Sequence, residues 1–178
     1  RGKILEGESI RGVVGTVMTN RALEDFLNEE NIDFIRANVG DKNVLEKMIK
    51  NKYDLGGETS GHILMLKLLP SGDSIIAALQ FLYYSDILEK NNINNFLEKY
   101  PQKITNLLCD RNLSDNTCNI VIKKAIDKFS TNKLRLVIRK SGTENCIRIM
   151  VEAKDNAVVE KISYEISEFI KDEVKKLL

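Results

Sequence analysis

The sequence predicts a mixed α/β protein: an α/β layered domain with a mostly parallel sheet, followed by a small α+β domain whose sheet is covered by helices. Two observations predict this class. Over roughly the first hundred residues, short β-rich runs alternate with helical patterns, which is typical of parallel sheets. Beyond Pro101, strands are followed by one long amphipathic helix, which favours an α+β arrangement.

The first part alternates strands and helices in the predicted pattern. Apolar runs bounded by polar or glycine-rich segments predict strands at residues 13–18, 32–35 and 62–68. The helical spacing of apolar residues predicts helices at residues 22–30 and 41–50. Asp73 follows Ser71 and Gly72 in the pattern of a helix N-cap, so a third helix is expected to begin there.

Pro101 marks the predicted boundary between two domains, residues 1–101 and 102–178, because proline ends the helical pattern of residues 93–100. The second domain is expected to close with an amphipathic helix carrying Val159 and Ile166 on its apolar stripe. The other elements predicted for this domain are strands at residues 104–109, 134–139 and 146–152 and a helix at residues 117–129.

Composition and charge exclude several classes of function. Hydrophobic residues make up 43% of the chain, enough for a folded core, and Lys plus Arg total 27 against 26 acidic residues. This balance argues against nucleic acid or an anionic membrane surface as a partner. The sequence has neither a membrane-length apolar run nor a signal-peptide pattern at its start. The cysteines, Cys109, Cys118 and Cys146, are widely spaced, so neither zinc nor a disulfide framework is indicated, and we expect a cytoplasmic protein.

The connection between the last two predicted strands has the residue types of a phosphate site, reading Arg-Lys-Ser-Gly-Thr-Glu-Asn-Cys-Ile-Arg. Backbone N–H groups at such a turn can converge on an anion, and Gly142 permits a positive φ. Ser141 and Thr143 add hydroxyl donors, while Arg139 and Arg148 supply guanidinium groups from the flanking strands. A polar hairpin with surface arginines accounts for the same residues, so the spacing alone leaves both interpretations open.

A second polar loop, Gly-Gly-Glu-Thr-Ser-Gly-His at residues 56–62, has the residue types of a sugar site. Glu58 could accept hydrogen bonds from two adjacent sugar hydroxyls, and Ser60 could bridge another. The glycines would let the backbone approach a ligand closely. The alternative is a glycine-rich connection with a turn-capping Glu, which is favoured for a loop of this kind taken alone.

Both loops resemble signatures of the α-D-phosphohexomutase superfamily, and they occur in the same order. Arg-x-Ser-Gly-Thr-Glu-x-x-x-Arg is similar to the phosphate-binding signature of the last domain, with Asn145 where the family usually has proline. Gly-Glu-x-Ser-Gly-His is similar to the sugar-recognition loop of the third domain. The resemblance implies sugar binding by residues 1–101, through Glu58 and Ser60. It implies phosphate binding by residues 102–178, through Arg139, Ser141, Gly142, Thr143 and Arg148.

No residue of the chain is implied with certainty to be catalytic. The resemblance places His62, the single histidine, near the sugar, where it could assist proton transfer. A lone histidine is more often structural, and that alternative stays open. Ser60 is not expected to be the phosphorylated serine of the superfamily, because Ile63 and Leu64 follow it where that loop has Asn-Pro.

Further stretches are similar to the bacterial phosphoglucosamine mutases within this superfamily. They are Val-Gly-Thr-Val-Met-Thr-Asn from Val14 and Arg-Ala-Asn-Val-Gly-Asp-Lys from Arg36. Phosphomannomutases generally carry Gly-His at the position of Gly40 and Asp41. An acidic group there would suit a substrate amine, so these two residues are candidates for a substrate loop.

The resemblance implies an isomerase that interconverts glucosamine 6-phosphate and glucosamine 1-phosphate through a phosphoserine and a bisphosphate intermediate, for cell-wall amino sugars. Mg²⁺ is implied in the full-length enzyme, held by an Asp-x-Asp-x-Asp loop. Neither this loop nor Thr-Ser-Gly-His-Asn-Pro occurs here, so Mg²⁺ is expected outside this chain and the chain alone is expected to be inactive.

The partners implied are a phosphosugar substrate and the N-terminal domains of the same enzyme, and a homodimer of the full-length enzyme stays open. Two alternatives to this function also stay open. One is a phosphomannomutase or phosphoglucomutase of the same superfamily, and the other is a non-catalytic phosphosugar-binding module.

Overall fold

The computed structural model describes residues 1–93, 97–109, 114–142 and 144–177. The chain forms two compact units, residues 1–98 and 99–178. The first contains a mixed sheet flanked by helices, and the second contains an antiparallel sheet with two helices. The predicted fold class, an α/β domain followed by a small α+β domain, is confirmed.

The first unit is built on a five-stranded sheet in the order β2-β1-β3-β4-β5. Its strands are β1 (Gly12–Thr16), β2 (Asp33–Ala37), β3 (Leu55–Gly57), β4 (Ile63–Met65) and β5 (Leu69–Gly72). Its helices are α1 (Gly2–Leu5), α2 (Arg21–Glu29), α3 (Asp41–Asn51) and α4 (Ser74–Lys90). Strands β2, β1 and β3 are parallel, and β4 and β5 extend the sheet in antiparallel fashion.

One face of this sheet is tightly packed against α3. Val14 and Leu64 are buried there with Val44 and Met48 of the helix. Gly56 lies in the same row of the sheet, and a Cβ at this position would come within 2.5 Å of Met48 Sδ. The close approach of α3 therefore requires glycine at residue 56.

Most predicted elements of the first unit are present, and two predictions need correction. Asp73 caps α4 by accepting from the amides of Ile75 and Ile76, as predicted. The strand expected over residues 62–68 is shorter: β4 covers residues 63–65, residues 66–68 form a turn, and β5 follows it. The helical pattern expected over residues 93–100 is wrong for residues 97–100, which form no helix, while residues 94–96 lie outside the described residues.

The second unit contains an antiparallel sheet in the order β6-β8-β7. Its elements are β6 (Gln102–Leu108), α5 (Asp115–Phe129), β7 (Leu134–Lys140), β8 (Cys146–Ala153) and α6 (Asn156–Leu177). Alternate residues of β8, including Ile147 and Ile149, are fully buried in a core with Val121 of α5 and Ile166 of α6. The two helices therefore cover one face of this sheet.

The face of the second sheet opposite the helices, called the open face below, carries charged as well as apolar side chains. Glu152 is 1% exposed and accepts from Arg135 Nε at 2.8 Å, which forms a buried ion pair near one end. Arg148 lies on the same face of β8, four residues before Glu152, because strand side chains alternate. This face brings Arg148 next to the connection between β7 and β8.

Candidate functional site

The sugar-type loop lies at the carboxyl edge of the parallel strands in the first unit. Strands β1, β2 and β3 end at Thr16, Ala37 and Gly57, and their parallel pairing places these ends at one edge of the sheet. Because β1 lies between β2 and β3, the chain turns to opposite sides of β1 at this edge, which is the position where open α/β sheets bind ligands. The loops that follow β2 and β3 both begin there.

A hydrogen bond joins the two predicted substrate loops of the first unit. The Gly40 amide donates to Glu58 Oε1 at 2.7 Å, across 18 residues of sequence. Gly40 has a φ of +120°, a conformation that side-chain-bearing residues rarely adopt. Glu58 is half-buried, and Asp41 is the exposed first residue of α3. Glu58 therefore keeps its second oxygen, Oε2, for another donor.

The loop of residues 58–62 is closed by its own backbone. The Glu58 amide donates to the His62 carbonyl at 2.9 Å, and the Gly61 amide donates to the Glu58 carbonyl at 3.1 Å. Gly61 has a φ of +99°, so the turn needs glycine here. The side chains of Ser60 and His62 are exposed and lie together, with 3.0 Å between Oγ and Nδ1.

Arg36 fixes the third loop at this edge, the connection from β1 to α2. The sequence did not indicate this role. Its Nη1 donates to the carbonyls of Thr16 at 3.0 Å and Thr19 at 2.6 Å. Its Nη2 bonds Glu24 of α2 at 2.8 Å. The sequence did contain one sign of this role, a charged residue within a short β-rich run. Charged side chains in such runs are seldom buried without a partner.

The connection between β7 and β8 is a tight turn held by Ser141. The Ser141 amide donates to the Cys146 carbonyl at 2.9 Å, and the Ser141 hydroxyl accepts from the Glu144 amide at 3.3 Å. Ser141 is 6% exposed, so its side chain belongs to the turn itself. Thr143, the other predicted hydroxyl donor, lies outside the described residues.

Gly142 does not use the conformational freedom that glycine provides. The sequence indicated that it permits a positive φ, and its φ lies outside the left-handed range. No atom lies within 4 Å of the position that a Cβ would take among the described residues. The glycine therefore leaves the turn open to approach from outside.

The two predicted phosphate-binding arginines lie side by side on the open face of the second sheet. Arg139 and Arg148 are direct cross-strand partners of β7 and β8. Like charges in this position repel each other, so an anion between them would relieve an unfavourable contact. The side chain of Arg139 has no ion pair among the described residues.

Glu144 orients the guanidinium of Arg148. Its Oε2 accepts from Arg148 Nη2 at 2.7 Å, and this hydrogen bond lowers the pKa of Glu144 and raises that of Arg148. Arg148 Nε is buried and has no hydrogen-bond partner within the part of the chain that the structure describes. Arg148 is therefore held beside the turn through Nη2.

Asn106 extends this row of side chains onto the third strand, and sequence reasoning missed it. It pairs with Arg148 across β6 and β8, and its side chain is exposed. The row on the open face therefore reads Asn106, Arg148, Arg139. The alternation of β6 could have placed Asn106 on the open face, but the strand order that puts it next to Arg148 was not predictable.

The described residues offer neither a metal-binding cluster nor a membrane-spanning helix. Residues 1–93, 97–109, 114–142 and 144–177 contain no group of three or more His, Cys, Asp or Glu side chains that could hold a metal ion. Over the same ranges, every helix is too short or too polar to cross a membrane.

Comparison with known families places these features in a class of sugar-phosphate enzymes. Residues 3–104 match the family described as phosphoglucomutase/phosphomannomutase, alpha/beta/alpha domain III. Residues 93–169 match the phosphoglucomutase/phosphomannomutase C-terminal domain. The chain therefore belongs to the phosphoglucomutase/phosphomannomutase family and comprises its third and C-terminal domains.

The curated relatives of this chain include phosphoglucosamine mutases. The chain is 44% identical over 160 residues to the phosphoglucosamine mutase of Thermotoga sp. strain RQ2, covering 87% of this chain and 36% of the relative. It is 37% identical over 177 residues to the phosphoglucosamine mutase of Vibrio vulnificus, covering 97% and 40%. The chain thus spans about two fifths of the length of these relatives.

Solved structures share the fold. A phosphoglucomutase/phosphomannomutase family protein from Burkholderia thailandensis superposes with a TM-score of 0.71 at 17% identity, covering 97% of this chain and 40% of that one. N-acetylphosphoglucosamine mutase from Aspergillus fumigatus, solved with GlcNAc-6P and magnesium, superposes with a TM-score of 0.66 at 17% identity, covering 95% and 44%.

Proposed function

We propose that this chain is the substrate-binding C-terminal part of a phosphoglucosamine mutase, the enzyme that interconverts glucosamine 6-phosphate and glucosamine 1-phosphate. The observation that carries the proposal is the presence of both substrate loops, at strand ends, in a chain 44% identical to a phosphoglucosamine mutase. The expected chemistry passes a phosphoryl group through a phosphoserine and a bisphosphate intermediate. The serine loop is not in this sequence.

In this proposal the first unit binds the sugar. Glu58 Oε2 accepts from sugar hydroxyls while Oε1 holds the Gly40 amide, so the ligand contact and the loop geometry depend on one carboxylate. Ser60 contributes a hydroxyl, and its exposed neighbour His62 can exchange a proton with solvent or substrate. Asp41, exposed at the start of α3, is placed to attract a substrate amine.

The second unit binds the phosphate that is not reacting. Arg139 and Arg148 supply two guanidinium groups on one sheet face, and charge-assisted hydrogen bonds of this type are about twice as strong as neutral ones. The turn contributes Thr143 and the open approach at Gly142. Asn106 adds a neutral donor at the end of the row, so we include it in the binding set.

Family relatives, and no residues of this chain, are the reason for including magnesium in this proposal. The Aspergillus fumigatus relative was solved with magnesium, but the described residues of this chain offer no cluster that fits a metal ion. We therefore assign the metal site to the part of the enzyme that this chain does not span, and we assign no step of the reaction to it. Cytoplasmic localisation and a homodimer remain predictions.

A competition experiment tests the proposed substrate. A full-length enzyme carrying this chain as its C-terminal part is given glucosamine 6-phosphate and glucose 6-phosphate together. We expect kcat/KM to favour the amino sugar, because Asp41 stabilises an ammonium group that the hydroxyl analogue lacks. An Asp41→Asn variant should lose much of this preference. Equal use of both sugars, or a preference for mannose 6-phosphate, would favour another mutase of the family.

A further inference from the structure

One peptide group in the loop between β2 and α3 is held at both of its ends. The Gly40 amide donates to Glu58 Oε1 at 2.7 Å. The carbonyl of the same peptide group, that of Val39, accepts from Asn43 Nδ2 at 2.8 Å. The N–H and C=O of a trans peptide point in opposite directions, so these two bonds lie on opposite sides of the group. A rotation of this peptide therefore disrupts both bonds.

The peptide depends on these two bonds because the residue that follows it is glycine. Gly40 has a φ of +120° and a ψ of +129°, and glycine opposes backbone rotation less than any other residue. A side chain at residue 40 would be strained by this φ, and its Cβ would lie 3.2 Å from Asn43 Nδ2. The loop therefore cannot be made rigid by a larger residue, and its partners Glu58 and Asn43 fix the orientation of the peptide.

Asn43 occupies the position in α3 where a capping side chain is common. Gly40 is the N-cap residue, so Asn43 is the third residue of the helix. In a capping box this third residue is Glu or Gln, and its side chain accepts from the N-cap amide. Here Glu58 of the other loop accepts from that amide, and Asn43 donates to the carbonyl that precedes it. The side chain at residue 43 thus complements Glu58.

Helix α3 holds Asn43 in place. The Asn43 backbone amide donates to the Gly40 carbonyl at 3.0 Å, and the next residue, Val44, is 0% exposed and packs on the sheet. The side chain of Asn43 is half-buried beside the loop. A chain of contacts therefore connects a packed helix, through the Val39 carbonyl and the Gly40 amide, to Glu58 Oε1.

We propose that Asn43 is a positioning residue for Glu58. It holds the peptide whose amide fixes Oε1, and the position of Oε1 restricts that of Oε2, the proposed sugar acceptor. The inference rests on the proposed function, because it assumes that Glu58 binds the sugar. Asn51, near the other end of α3, gives a matched comparison. Its Nδ2 donates to the Lys47 carbonyl at 2.8 Å over the same four-residue spacing, and it is also half-buried.

Matched substitutions of the two asparagines test the proposal in a full-length enzyme that carries this chain as its C-terminal part. Leu has nearly the shape of Asn but no donor, so Asn43→Leu and Asn51→Leu remove equivalent bonds. We expect Asn43→Leu to lower kcat/KM about fivefold in both reaction directions, the effect of one neutral hydrogen bond, and Asn51→Leu to leave it unchanged. Asn43→Gln keeps the donor and should recover most of the loss. Parent rates for Asn43→Leu, or an equal loss in both Leu variants, overturn the proposal.

A double-mutant cycle with Glu58 separates positioning from a general loss of structure. We expect Asn43→Leu to change kcat/KM by less than about twofold in a Glu58→Ala enzyme, because the group that it positions is gone. An equal loss in both backgrounds would overturn the proposal, since Asn43 would then act without Glu58. Parent rates for Glu58→Ala alone would overturn the proposed sugar site and this inference with it. A slowed Glu58→Ala enzyme beside a parent-like Asn43→Leu enzyme overturns this inference only.

Discussion

Glu58 combines two roles in one carboxylate, and substitutions can separate them. Oε1 holds the Gly40 amide at 2.7 Å, while Oε2 is the proposed sugar acceptor. Glu58→Asp withdraws both oxygens, whereas Glu58→Gln keeps an acceptor for Gly40 but replaces the sugar acceptor by a donor. We expect both variants of the full-length enzyme to slow the forward and the reverse reaction by about tenfold or more, the cost of a lost charged hydrogen bond.

The measurement is kcat/KM in both directions, with binding of inorganic phosphate by titration as the control. Phosphate binding should be unchanged, because the proposed phosphate residues belong to the second unit. Wild-type rates for Glu58→Gln combined with slow Glu58→Asp would show that the carboxylate only holds the loop. In that case Glu58 would no longer be a sugar ligand.

The row of Asn106, Arg148 and Arg139 predicts graded effects on phosphate binding. Arg139→Ala and Arg148→Ala should each lower substrate affinity roughly ten- to a hundred-fold, since a charge-assisted donor is lost. Asn106→Ala should cost about 1 kcal/mol, roughly fivefold, because its donor is neutral. Substrate affinity of the full-length enzyme is measured by calorimetry. Lys133→Ala, which removes an exposed charge just before β7, is the control and should bind substrate normally. Equal affinities for all four variants would mean that the turn is an ordinary hairpin with no phosphate site.

At the scale of secondary structure, local signals account for what could be predicted. Capping residues and apolar periodicity gave α2, α3 and the start of α4 at Asp73. The β4–β5 hairpin was missed because its turn lacks the Gly or Pro that usually marks one, and its strands have only three and four residues. Four-residue α1 is too short to show a period.

Some features of the candidate site were predictable from local sequence, and others depend on the tertiary fold. The residue types of both loops and their place between strands were visible in the sequence. The bond between Gly40 and Glu58 and the three-strand row through Asn106 depend on sheet order and register, which single-strand patterns do not contain.

The contact between α5 and α6 gives a prediction for acid stability. Glu173 on α6 bonds Lys124 of α5 and Lys176, each at 2.7 Å, and these hydrogen bonds lower its pKa from 4.5 to about 2. A depressed carboxyl pKa stabilises the fold above the unfolded-state value near 4.5, and this stability is lost as the pH falls toward 2. We expect the Glu173→Gln variant to have a lower Tm than the parent protein at pH 7. The difference between the two Tm values should become smaller as the pH falls from 4.5 to 2.5.

Thermal unfolding of both proteins at pH 7, 4.5 and 2.5 provides the check. Glu165→Gln, on the same helix but 3.9 Å from its lysine partner and 42% exposed, is the matched control and should change the Tm little at any of these pH values. A Glu173→Gln difference that stays constant across the pH range would mean that the lost packing, not the charge, decides its stability.

At the scale of the whole molecule, binding and chemistry are expected to reside in different parts of the enzyme. This chain holds the residues proposed to bind the sugar and the phosphate. Its sequence contains neither the Thr-Ser-Gly-His-Asn-Pro loop nor an Asp-x-Asp-x-Asp run. Phosphoryl transfer needs a nucleophile and neutralisation of the charge on the moving group. The sugar- and phosphate-binding residues proposed here would position the substrate, and the sequence contains neither loop implied for those two roles. Positioning without the reacting group gives no turnover.

We therefore expect the purified chain to show no interconversion of glucosamine 6-phosphate and glucosamine 1-phosphate, even with Mg²⁺ and a hexose bisphosphate added. The assay is ³¹P NMR of the two sugar phosphates over many hours, with a full-length enzyme carrying the same chain as the positive control. The Arg148→Ala form of the chain is the matched control for contamination, since a trace of host mutase would give the same rate in both preparations. Turnover by the chain that disappears in Arg148→Ala would contradict the division between binding and chemistry, because this part would then hold a nucleophile of its own.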